Sequence, residues 1–240
     1  SDQDLLEVVL LLEGGPRDDY LIERAKHSIE DLYRERGHYL AAVTVDESEL
    51  EEAGILIFRV IEGPRVRIRA IEFEGNSAFE DKLLNAQIDT TKAIWLLRKG
   101  QLDEELLSDD VAALDRFYKD RGYLDVRVDR RIELSPDNTE AKVTFLIAEG
   151  PQYSLASITT ENLDAIGQPL KIFSTDQIAA LLELKTGDVY REDLLRKSLK
   201  AVKDAYGLLG YLDVEIQHVE IRRGEQPEVD LLLRIAEGRR

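Results

Sequence analysis

Three histidines, His27, His38 and His218, are the residues best suited to move protons or bind metal near neutral pH. They fall in different predicted elements, with no His-Glu-x-x-His helix and no histidine beside a nucleophile pattern, so surface or edge positions are favoured over a site. Zero cysteines exclude disulfides, thiol catalysis and thiolate metal sites. The chain carries neither a Gly-x-Ser-x-Gly elbow nor a Gly-x-x-x-x-Gly-Lys phosphate loop. Glu47, Glu49, Glu51 and Glu52 could crowd a calcium ion, but they lie between two predicted strands, where a solvated hairpin loop is the simpler reading. Arg127, Arg130 and Arg131 cluster, yet Asp125 and Asp129 interleave them, as on a solvated strand. No catalytic, metal or cofactor site is expected, and the chain reads as a non-enzyme.

Composition agrees with a binding or structural role. A formal net charge of -17 over 240 residues opposes nucleic acid and anionic lipid. With 43% hydrophobic and 34% charged residues, packed cores are affordable, while the longest apolar run, Val8 to Leu12, is far short of the roughly 20 residues that cross a bilayer. No charged-then-apolar leader opens the chain, and Ser1 in place of Met suggests a processed protein or a fragment.

Self-similarity organises the rest. Tyr33 to Tyr39, Tyr118 to Leu124 and Tyr206 to Leu212 share an aromatic residue, a short spacer, then glycine, and their glycines Gly37, Gly122 and Gly210 are 85 and 88 residues apart. A second marker closes each copy: Ile61-Glu62-Gly63-Pro64, Ala148-Glu149-Gly150-Pro151 and Ala236-Glu237-Gly238, with glutamates 87 and 88 apart. Two markers keeping one period mean a tandem repeat.

Within the second copy, Val66, Ile68 and Ala70 alternate with arginines up to Glu74, predicting a strand that turns at Gly75-Asn76. Ser77-x-x-Glu80 has capping-box spacing, predicting a helix over 78–88. Leu107, Val111, Leu114 and Tyr118 stripe a second helix, which Gly122 ends in the left-handed conformation. Leu124, Val126, Val128 and Ile132 then alternate with charged residues, as on a strand with one wet face, Ser135 to Asn138 turn, and Val143, Phe145 and Ile147 return. The order is β-α-α-β-β. In the third copy Ser157 to Thr160 ends the first strand, Ser174-x-x-Gln177 is a second capping box, and Leu195, Leu199, Val202 and Tyr206 stripe the long helix. Sliding the first copy by 173 positions aligns Leu5 with Ile178, Gly14 with Gly187 and Tyr33 with Tyr206, so Leu5 to Leu12 is expected to be helical and the opening strand absent. Tyr33, Tyr118 and Tyr206 each end an apolar stripe, so helix-end packing is expected of them.

The expected fold class is α+β: three tandem modules over 1–64, 65–151 and 152–240, each a three-stranded mixed sheet under two helices, the first without its opening strand. The corners Gly63-Pro64 and Gly150-Pro151 run straight into the next strand, so a semi-rigid curved rod is expected.

These residues resemble a string of POTRA (polypeptide-transport-associated) domains. The features that carry the likeness are the strand ending in Gly75-Asn76, Gly187-x-x-Tyr190, the aromatic-Gly-Tyr helix end and the closing Glu-Gly-Pro. The added loop 90–100 is similar to that of BamA-type factors. Departures are Gly37-His38 for Gly-Tyr, the absent opening strand, and Gly14-Gly15-Pro16-Arg17, which has no tyrosine at the helix start. The resemblance implies a location at the periplasmic face of the outer membrane and a following β-barrel. It implies unfolded outer-membrane clients and accessory lipoproteins or periplasmic chaperones as partners. It also implies a central last strand and an edge second strand, so the candidate edges are Tyr39 to Val45, Leu124 to Arg130 and Leu212 to Gln217, with Leu124, Val126 and Val128 and Leu212, Val214 and Ile216 as the client-binding candidates. An extended client would add to such an edge through main-chain bonds, although alternating charge also protects edges from aggregation. Trp95, with Ile94 and Leu97, is a candidate docking anchor or a cover for its own core. Alternatives are the arm of a two-partner secretion or TamA-type transporter, a spacer without client contact, and a hydrolase or transferase, which would need a deep pocket.

Overall fold

The computed structural model describes residues 18–46, 54–92, 100–224 and 226–239, with Leu5, Glu49 and Glu51. Leu5 is helical, and the remainder of the Leu5 to Leu12 expectation lies outside the described residues. In chain order the elements are α1 (Asp19–Glu35), β1 (Ala42–Val45), β2 (Phe58–Ile61), β3 (Arg67–Glu74), α2 (Asp81–Asn85), α3 (Glu104–Lys119), β4 (Arg127–Leu134), β5 (Glu140–Ala148), β6 (Ser154–Asn162), α4 (Thr175–Leu181), α5 (Glu192–Leu208), β7 (Glu215–Arg222) and β8 (Glu228–Ala236).

They form three separate sheets of order β1-β2, β3-β5-β4 and β6-β8-β7. The last strand of each three-stranded sheet is central, parallel to the first and hairpin-linked to the second. Tight packing groups the chain into two units. One holds 1–74, 81–111 and 129–146, and the other 75–80, 112–128 and 147–240.

Chemistry accounts for most elements. In α5 the stripe Leu195, Val202 and Tyr206 is buried beneath Val229, Leu231, Leu233 and Ile235 of β8. Alternation in β8 is regular because its other face stays partly wet. Helix α4 begins with the expected capping box: Gln177 N–H donates to Ser174 Oγ (3.3 Å) and Ser174 N–H to Gln177 Oε1 (2.8 Å). Gly122 has φ 91°, and Tyr123 N–H reaches back to the Tyr118 carbonyl (3.1 Å), as a helix-closing glycine requires. Asp137 fastens the 135–138 turn, and bonds from the Ser135 and Thr139 hydroxyls hold its carboxyl below the ordinary range.

Several expectations are corrected. The first helix of the second copy spans only Asp81–Asn85, and Ser77 and Glu80 form no capping box. The Ser77 amide, which a box would give to Glu80, instead donates to the Gly75 carbonyl (3.1 Å), the Ala78 amide donates to Glu149 Oε1 (2.9 Å), and Asn76 Nδ2 ties down the Phe79 carbonyl (3.0 Å). A bulge between Ile68 and Ala70 resets the inward set of β3, so Ile71 and Phe73 are buried and Ala70 is not. A matching irregularity lies between Leu155 and Ser157 in β6, which runs two residues beyond the expected end at Thr160. The second strands start later than expected, at Ala42, Arg127 and Glu215.

Candidate functional site

β7 is the outer strand of its sheet, and its pairing with β8 fixes which groups are free. Arg223 N–H donates to the Glu228 carbonyl (3.0 Å), and the one-to-one register continues to Glu215 opposite Ala236. Antiparallel geometry therefore commits the odd-numbered residues of β7 to β8 and turns the amides and carbonyls of Ile216, His218, Glu220 and Arg222 outward. The distal half is tied by side chains. Tyr190 Oη donates to Glu220 Oε1 (2.7 Å), and Arg222 pairs with Asp125. Burial and the bond to Glu220 push the Tyr190 hydroxyl well above the ordinary tyrosine range, so it remains a donor. The half from Glu215 to His218 is left open.

That open half borders a cleft of about 460 Å³ between β7 and α5, lined by Leu199, Lys200, Lys203, Val214, Glu215, Ile216 and Gln217. Its floor is apolar, from Leu199, Val214 and Ile216. Two lysines stand on its rim in a chain of net charge -17. Lys200 is paired with Asp204 (2.7 Å), whereas Lys203 has no ion pair among the described residues. An unpaired strand edge beside an apolar trough can take an extended backbone with one side chain in two pressed inward.

The sequence-predicted residues fall in different places. Val214 and Ile216 line the cleft, Val214 buried at 2% exposure and Ile216 half-buried. Leu212 precedes β7 and is exposed. Val128 is half-buried on β4, whereas Leu124 and Val126 precede that strand and are buried. Leu124 packs with Tyr153, Leu155 and Tyr190 in the core under β6 and β8, because the turn after α3 directs it there. Gly63 and Gly150 take φ 66° and 68°, and Pro64 and Pro151 are exposed. Trp95, Ile94 and Leu97 lie outside the described residues. Reading the sequence missed Lys200 and Lys203, although their one- and four-residue offsets from Leu199 place them beside the α5 stripe.

A second constellation explains the repeat markers of the second and third copies. Tyr118 Oη donates to Glu149 Oε1 (3.0 Å) and Tyr206 Oη to Glu237 Oε1 (3.1 Å). Glu149 also receives the Ala78 amide, and Glu237 the amides of Lys171 (2.8 Å) and Ile172 (2.9 Å). Phe79 and Phe173 meet Tyr118 and Tyr206 edge-on. The closing glutamate therefore links the hairpin's end to the long helix and to the segment before the short one. Its role is structural.

A family model described as POTRA, surface antigen variable number repeat, matches residues 66–150 and 160–238. The chain belongs to the POTRA family. Among its curated relatives, two align along nearly all of this chain. The outer membrane protein assembly factor BamA of Neisseria meningitidis is 26% identical over 91% of this chain, and that of Nitratidesulfovibrio vulgaris 27% identical over 95%. The POTRA chain spans only 27% and 29% of those proteins. The crystal structure of POTRA domains 3–5 of Haemophilus influenzae BamA superposes with a TM-score of 0.59 at 18% identity, covering 98% of this chain and 91% of that one, which shows a shared fold. Among the described residues no helix is long and apolar enough to cross a membrane.

Proposed function

We propose that this POTRA array is a non-catalytic periplasmic arm of an outer-membrane β-barrel assembly protein, receiving unfolded outer-membrane polypeptides as extended strands along the open half of β7. The modules are taken as 1–64, 65–151 and 152–240, with accessory lipoproteins or chaperones engaging other faces and a barrel following in the intact protein. The observation that carries this is the unpaired edge at Glu215 to His218 bordering an apolar cleft. Main-chain bonding demands little of client sequence, which suits a receptor of many substrates. The relatives named as assembly factors support the same direction.

The test is a photocrosslinking residue at Gln217 of the full-length protein in cells, with Thr159 on the opposite edge strand β6 as reference. Adducts with newly made outer-membrane polypeptides at Gln217, at several times the Thr159 yield, are expected. Equal yields at the two sites, or adducts with accessory proteins alone, would show a spacer and overturn the reading.

A further inference from the structure

The start of α5 meets the end of α3 within one of the two units. A chain of hydrogen bonds carries this junction to the edge strand. The Gly122 carbonyl accepts the Tyr153 amide (2.8 Å), the Tyr153 carbonyl accepts the Tyr190 amide (2.8 Å), and the Tyr190 hydroxyl donates to Glu220 Oε1 (2.7 Å) on β7. The junction before it, inside the other unit, has the same frame. There the Gly37 carbonyl accepts the Val66 amide (3.0 Å) and the Val66 carbonyl accepts the Leu102 amide (3.1 Å). Leu102 thus stands where Tyr190 does, and Ile132, the sixth residue of β4, stands where Glu220 is the sixth of β7. Two apolar residues at the first junction become a hydroxyl and a carboxylate at the second.

That exchange crowds the second junction with negative charge. Glu192, the first residue of α5, faces Glu220 from β7 and Asp120 just past α3. Arg196 is shared between Asp120 (3.0 Å) and Glu192 (3.7 Å). Lys119 also faces Glu192 but is held by Asp115 (2.8 Å). The Tyr190 hydroxyl gives its one proton to Glu220, so it does nothing for Glu192. The side chains of Asp120 and Glu192 are only 24% and 29% exposed, so water screens them incompletely. Burial first, then the facing Glu220, raises the Glu192 carboxyl above the ordinary glutamate range. Asp120 adds to the rise, while Lys119 and Arg196 oppose it. Glu104, which opens α3 as Glu192 opens α5, instead has the cation Arg130 at 3.7 Å.

We propose that Glu192, facing Asp120 and Glu220, is a proton-sensitive catch: its negative charge loosens the hold of the third repeat on the end of α3, and uptake of one proton tightens it. The sign follows from linkage. A carboxyl raised in the closed junction takes up its proton more readily there than in the opened one. The strain is therefore complete at pH above the raised value and is relieved as pH falls through it. Glu220 and Arg222 tie the distal half of β7 into the same junction, so the catch also acts on the strand that carries the open edge.

Amide exchange in the full-length protein tests the catch, with the first junction as internal reference. After correction for intrinsic exchange, protection of the Tyr190 amide should rise about threefold from about pH 7.5 to about pH 5, while that of the Leu102 amide stays constant. Glu192→Gln should raise Tyr190 protection at the higher pH by at least as much and abolish its pH dependence. No rise at Tyr190, an equal rise at Leu102, or an unchanged pH dependence in Glu192→Gln would overturn the proposal. Lower Tyr190 protection in that variant at the higher pH would show that Glu192 serves to hold Arg196, and would overturn it as well.

Discussion

The short helices α2 and α4 occupy the same place in successive repeats yet begin differently. Superposing the glutamate constellations aligns Phe79 with Phe173, because each meets the buried tyrosine and each follows an amide held by the closing glutamate. On that alignment Ser174 corresponds to Glu80. Ser77 corresponds to Lys171, three residues upstream of the cap. The serine at the right position makes a capping box and a seven-residue helix, whereas Glu80 precedes a helix of five residues. The two repeats are anchored alike, Glu149 holding the Ala78 amide and Glu237 its counterpart at Ile172, so the difference lies in whether a serine stands at the helix start; Ser77 lies three residues too early, and its own amide goes to the Gly75 carbonyl (3.1 Å).

The comparison can be broken at its anchors first. Glu237 is 5% exposed and accepts from two amides and a hydroxyl, so Glu237→Ala should lower unfolding free energy by about 3 kcal/mol, and Glu149→Ala, half-buried with one amide and one hydroxyl, by about 2 kcal/mol, read from urea unfolding. A reversed order would mean that the two anchors are not equivalent. Tyr206→Phe should cost about 1.5 kcal/mol. Burial and the neighbouring glutamates raise both the Tyr118 and Tyr206 hydroxyls above their unfolded value. The stabilisation is thus complete below about pH 10 and declines as pH rises beyond it, so base-induced unfolding should be shallower in the Tyr118→Phe, Tyr206→Phe double variant. Next in size, Ser174→Ala should cost about 1 kcal/mol while Ser77→Ala stays within about 0.5 kcal/mol. A comparable loss at Ser77 would restore the capping box there. The smallest effect is a gain: Glu80→Ser should add about 0.5 kcal/mol by supplying the missing cap.

Much of the fold was legible because its signals are local. The in-phase glycine and glutamate markers revealed the repeat, the α3 and α5 stripes revealed the long helices, and Ser174 with Gln177 revealed a helix start. What escaped depends on partners distant in sequence. The bulge beside Ile68 is set by pairing with β5, and the inward turn of Leu124 by a core assembled from residues 153–235. Of the candidate site, Val214 and Ile216 were named through the edge strand that the family resemblance implies, but the cleft also needed Leu199 and Lys203, brought opposite them only by packing of α5.

The glycine that stops α3 is also the residue whose carbonyl receives the Tyr153 amide. Adding one residue to α3 would rotate that acceptor by about 100° and advance it about 1.5 Å, removing it from reach. Hairpin tips such as 135–138 carry no such double duty. Grafted epitopes or spacers should therefore be tolerated at the tips and rejected at the helix ends, which sets where an array of this kind can be lengthened or recombined.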